Sequence, residues 1–106
     1  MDADACFDDL VARFLQHPGV TPPSPGRGFG SSALRVDGRI FAMLVRGRLV
    51  VKLPASRVDE LVASEEGERF DANKGTPMRE WLALDPASSV PWDAVATDAL
   101  TFVRAR

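Results

Sequence analysis

The sequence predicts an α+β domain: an antiparallel meander of three strands, one or two further strands, and three helices, in the order α-β-β-β-α-β-α. Three observations carry this. Asp37-Gly38 stands between two β-rich runs, which is a strong short-range hairpin signal. Arg46-Gly47 repeats the pattern nine positions on, so three strands follow one another directly. The strands cluster, and helical apolar spacing brackets the cluster, which argues against alternating βα units with a parallel sheet.

Taken in order, Ala3 to Gln16 reads as a helix, with Phe7, Leu10, Val11, Phe14 and Leu15 on one stripe. Asp2, Asp4, Asp8 and Asp9 suit its positive end, and Pro18-Gly19 stops it. From Pro18 to Gly30, three further prolines and three further glycines predict a long loop. Strands follow over Ser31–Val36, Arg39–Val45 and Arg48–Leu53. Ser56 reads as an N-cap answered by Asp59, opening a helix to about Ser64 on a Val58, Leu61 and Val62 stripe. Arg69-Phe70-Asp71 allows a short edge strand, and Met78 to Leu84 alternates like another. Pro91 suits the first turn of a last helix, lined by Trp92, Val95, Ala96, Ala99, Leu100 and Val103.

At 106 residues the chain has room for one domain, 1–106, with one core. Its 45% hydrophobic and 26% charged residues are those of a globular protein rather than a disordered one. A net charge of -2 argues against constitutive nucleic-acid binding, yet leaves room for a local basic patch. A single cysteine, Cys6, forms no internal disulfide, and no apolar run is long enough to span a bilayer. The acidic start does not look like a secretory signal, so the expected location is the cytoplasm.

Two-residue turns set an expected register. Val36 should face Arg39, Leu34 Phe41, and Ser32 Met43; Val45 should face Arg48, Met43 Val50, and Phe41 Lys52. One face then carries Ala33, Ile40, Ala42, Leu44, Leu49, Val51 and Leu53, spoiled by Arg35, and should meet the helices. The other carries Leu34, Phe41, Met43, Val45 and Val50, rimmed by Arg39, Arg48 and Lys52. Leu34, Phe41, Met43, Val50, Arg39, Arg48 and Lys52 are therefore the candidate interaction surface, for a homodimer or a protein partner. The basic residues, with Arg35, make nucleic acid an alternative, and a small ligand under the Gly/Pro loop is a second.

The sequence predicts no catalytic, cofactor-binding or metal-binding residues. His17, the one histidine, and Cys6 lie toward opposite ends of a helix, and no nucleophile-elbow pattern accompanies them. Gly26 to Ser32 looks like a phosphate loop, but a strand follows it where a helix should, and the lysine is missing. Glu65, Glu66, Glu68 and Asp71 read as a solvated loop, and Trp81 and Trp92 as core.

The run Phe29-Gly30-Ser31-Ser32-Ala33-Leu34-Arg35-Val36-Asp37-Gly38-Arg39-Ile40-Phe41-Ala42-Met43-Leu44-Val45 resembles the N-terminal domain of TfoX/Sxy proteins. Arg48 to Leu53 is similar to the family's strand with a lysine near its end. Gly75-Thr76-Pro77-Met78-Arg79-Glu80-Trp81 resembles a segment shared with MmcQ/YjbR-like proteins. The resemblance implies an α+β fold of the secretion-chaperone type and a non-enzymatic module. Its best-known members regulate competence for DNA uptake alongside a transcription activator. Arg27-Gly28 stands where the family often has a basic-Met pair, and the family's C-terminal domain has no counterpart in these residues.

Overall fold

The computed structural model describes residues 3–22, 33–70 and 79–105. It contains α1 (Ala3–Phe14), β1 (Val20–Thr21), β2 (Ala33–Val36), β3 (Arg39–Val45), β4 (Arg48–Lys52), α2 (Ala55–Ala63), β5 (Glu68–Arg69), β6 (Trp81–Leu84) and α3 (Trp92–Arg104). The strands form a single sheet in the order β1-β2-β3-β4-β6-β5, antiparallel throughout. This is the expected α+β class, with the unexpected two-residue strand β1 at one edge of the sheet and the short β5 at the other.

Both hairpin turns have the backbone the sequence calls for. Asp37 and Gly38 sit at φ 53° and 83°, and Arg46 and Gly47 at φ 50° and 77°. Positive φ at both central residues marks a type I′ turn, whose twist matches that of the strands it joins. From the second turn the register runs as expected through Val45 opposite Arg48 and Met43 opposite Val50, but it ends at Ala42 opposite Val51, and the expected Phe41–Lys52 pair does not form.

The first hairpin departs from expectation after two pairs. Val36 faces Arg39 and Arg35 faces Ile40, but Leu34 then faces Ala42 and Ala33 faces Met43. One extra residue in β3 is accommodated as a β-bulge, which puts neighbouring side chains on the same face. Phe41 and Ala42 consequently both enter the helix-side core, joined by Leu34 and Val36. Leu34 and Phe41 are fully buried there and are removed from the candidate surface. Arg35 and Ile40 move the other way, onto the face without helices. The physical reason is plain. An unbroken ladder would point the Arg35 charge into the core and a phenyl ring outward, and burying an unpaired charge is the costlier arrangement.

The helix-side core joins Phe7, Leu10 and Phe14 of α1, Val58 and Leu61 of α2, and Val95, Ala96, Ala99, Leu100 and Val103 of α3 to the sheet through Leu49, Val51, Leu82 and Leu84. The Phe14 and Phe41 rings lie 5.9 Å apart, centroid to centroid. On the opposite face Ala33, Met43, Val50, Phe70 and Ala83 form a second cluster, with Ile40, Val45 and Trp81 packed against it.

Several boundaries differ from expectation. α1 ends at Phe14, so Leu15 leaves the stripe and is 43% exposed, the one large hydrophobic side chain exposed among the described residues. Val20-Thr21, inside the expected loop, pairs with β2 because Asp37 N–H donates to the Gly19 carbonyl and closes the segment against the hairpin. α2 begins on Pro54, whose extended backbone (φ -56°, ψ 144°) serves as N-cap with no side-chain capping bond. The Arg57 and Val58 amides bond to the Pro54 carbonyl, so Ser56 is already inside the first turn, and Asp59 instead pairs with Arg69 of β5. The anticipated edge strand forms at Glu68–Arg69, and the Phe70 amide donates to the Trp81 carbonyl at 2.9 Å. Pro91 stands at the N-cap of α3, one position before the expected place. The phosphate-loop-like stretch at 26–32 lies outside the described residues.

Gly67, between α2 and β5, offers a sensitive test of this packing. A Cβ there would lie 2.9 Å from Leu82 Cδ1 and 3.1 Å from Leu84 Cδ2, both on fully buried side chains. Gly67→Ala is expected to cost about 1–3 kcal/mol, the usual range for overpacking. Thermal unfolding followed by circular dichroism checks it, and an unchanged midpoint would mean that β5 does not close on β6 as described.

Candidate functional site: the basic end of the open sheet face

Alternation along the strands determines which charges share the open face. In β4, Leu49 and Val51 enter the helix-side core, so Arg48, Val50 and Lys52 face the other way. In β6, Leu82 and Leu84 enter that core, so Trp81 and Ala83 face the other way. Lys52 pairs with Trp81 across the ladder, and Arg35 pairs with Ile40. Arg35, Ile40, Lys52 and Trp81 thus form a row across four strands at one end of the sheet. At about 4.8 Å per strand the row is roughly 14 Å long.

The row opens into a concavity of about 560 Å³ lined by Arg35, Gly38, Arg39, Ile40, Lys52, Trp81 and Val103. Three cations line it, and no carboxylate does among the described residues. Arg35 and Lys52 are half-buried against the sheet, whereas Arg39 is exposed at the turn. Lys52 Nζ lies 5.5 Å from the centre of the Trp81 ring, a cation–π arrangement that holds the ammonium beside the indole. Arg13, Arg48, Arg57 and Arg69 each pair with a described carboxylate. Arg35, Arg39 and Lys52 form no ion pair with one. On a chain of net charge -2, this is a local concentration of positive potential in a recess, where the low-dielectric wall strengthens it.

The seven residues expected to share one surface are thereby divided. Lys52 stands at the basic end, with Arg35 added by the bulge; Arg39, paired with the core residue Val36, is on the helix side of the ladder and lines the recess from its exposed position at the turn. Met43 and Val50 lie mid-sheet, buried in the second cluster rather than exposed. Arg48 faces the same side, but β3 separates its end of the sheet from Arg39 by six residues, about 20 Å. There it pairs with Glu68 at 3.2 Å and lines an acidic recess of about 390 Å³ with Glu65, Glu66 and Asp85. Leu34 and Phe41 are under the helices. Trp81, expected in the core, is half-buried at the site, and the sequence did carry a signal for it: it alternates with Leu82, which a helix-covered strand buries.

The remaining sequence candidates do not converge. Cys6 is half-buried in the first half of α1 and lines a recess of about 230 Å³ with Arg13 and Trp92. His17 is exposed beyond the other end of α1, its ring 5.2 Å from that of Phe14. Trp92 is half-buried and donates its indole N–H to the Asp85 carbonyl at 3.3 Å. No three His, Cys, Asp or Glu side chains gather to hold a metal ion among the described residues. No described helix is long and apolar enough to cross a membrane.

Comparison of the chain with protein-family models, with curated proteins and with solved structures yields no match.

Proposed function

We propose that the chain is a non-enzymatic interaction and regulatory module, of the kind its resemblance to the TfoX N-terminal domain implies, and that it works through the basic end of the open sheet face. The observation that carries this reading is the convergence of Arg35, Arg39 and Lys52 on one recess without a described carboxylate. Guanidinium and ammonium groups so placed bind anionic oxygens by charge-assisted hydrogen bonds. Three cations and an indole include no thiol, imidazole or carboxylate, which supports binding over catalysis. A lone cysteine suits a reducing compartment, so the cytoplasm is the proposed setting.

The direct test is titration of the protein with inorganic polyphosphate across a salt series. Binding that weakens steeply as salt rises is the expected result, because each neutralised phosphate releases counterions. Absence of binding at low salt would refute the reading.

A homodimer is the second reading. With Leu34 and Phe41 under the helices, its support is the half-buried Ile40, Val45 and Trp81 on the open face. Light scattering decides between them. The anion-binding reading expects a monomer, since Leu15 alone is a large exposed hydrophobic among the described residues and lies just beyond the end of α1, away from that face. A dimer broken by Ile40→Asp would favour self-association.

A further inference from the structure

We infer that the anion taken at this recess is a nucleotide unit, bound by its phosphates to Arg35, Arg39 and Lys52 and by its base to Trp81. The inference rests on the reading above and adds the ligand's chemistry to it. Three features of the site point beyond charge alone. Lys52 and Trp81 are direct ladder partners, so the backbone places a cation and an aromatic ring next to each other on one face, and the Lys52 ammonium lies 5.5 Å from the ring centre. Arg35 stands at the far end of the same row, and Arg39 at its rim. A phosphate drawn to Lys52 therefore arrives next to an indole face, and the row's length of roughly 14 Å accommodates phosphates and a base together. Ile40 lines the recess between them and gives a sugar or base edge an apolar floor. Rows of cations with an interleaved aromatic ring on an open sheet bind nucleotide units by combining phosphate contacts with base stacking, whatever the base.

Adenosine triphosphate and inorganic tripolyphosphate separate ring recognition from charge. Tripolyphosphate carries the greater charge, so a site reading charge alone binds it at least as tightly. The expected result, from calorimetric titration of the intact protein, is that adenosine triphosphate binds about tenfold more tightly, the order of one base stacked on an aromatic side chain. Trp81→Leu keeps an apolar side chain without a π face and is expected to abolish that margin, so that adenosine triphosphate binds no more tightly than tripolyphosphate. Trp81→Phe is expected to retain most of it. A short oligothymidylate distinguishes the source of the nucleotide. Tighter binding than the triphosphate, with a larger salt slope, assigns a single strand; equal or weaker binding assigns a free nucleotide. Equal affinity of the wild-type protein for adenosine triphosphate and tripolyphosphate would overturn the inference and leave anion binding standing. Binding of neither would overturn both.

Discussion

Replacing Phe41 with alanine is expected to remove about 3–5 kcal/mol of folding stability, the cost of a large core truncation. Phe41 is the largest fully buried side chain among the described residues, and its ring packs against Phe14 of α1. It lies where the bulge in β3 brings two successive side chains to one face, so Ala42 beside it does not fill the space left. Domains of this size are stable by about 5–15 kcal/mol, so the variant would be left close to the unfolding threshold. Urea denaturation at constant m-value measures the loss. The result also discriminates between registers. Were the ladder unbroken, Phe41 would project from the face without helices, and its truncation would cost well under half as much. A small effect would therefore argue against the bulge itself.

Reversing two charges at the recess should have the largest effect on binding. In Arg39→Glu/Lys52→Glu, two charge-assisted contacts, each worth about 1.5–3 kcal/mol, become repulsions. Affinity for inorganic polyphosphate is expected to fall by a hundredfold or more. The dependence of log K on log salt should also flatten, by about 0.7–0.9 per contact removed. Arg39 is exposed at the turn and Lys52 is half-buried, so folding is expected to be little affected. Arg48→Glu is the matched control. It changes a cation on the same face, but at the acidic end beside Glu68, and is expected to leave binding within about twofold of wild type. Equal losses from the two variants would indicate a diffuse charge effect rather than a built site.

The parts of this structure that were legible in the sequence are those written in local chemistry. Asp37-Gly38 and Arg46-Gly47 adopt the turn conformation their residues favour, and the helical stripes at both ends became α1 and α3. What escaped depends on non-local balance. The β1 strand is two residues held by a hydrogen bond from Asp37, a residue 18 positions from Gly19 along the chain, and nothing in Val20-Thr21 announces it. The Pro54 cap replaced the expected Ser56 cap because proline already supplies the extended backbone a helix entry needs. The bulge was the consequential omission, and its signature was present as a contradiction. An arginine stood on the expected core face while a leucine and a phenylalanine stood on the open one. A one-residue insertion in β3 resolves all three misplacements together. It also brings Arg35 out to join Lys52, so the device that completes the core is the one that completes the site.

That link between bulge and site is tested most directly by amide chemical-shift mapping during titration with inorganic polyphosphate. The largest changes are expected on Arg35, Ile40, Lys52 and Trp81, along one row across four strands, and on Arg39 at its rim, with Arg48 and Glu68 little affected. Changes centred on the Arg48–Glu68 end or on the helices, with Arg35 and Lys52 unmoved, would contradict it.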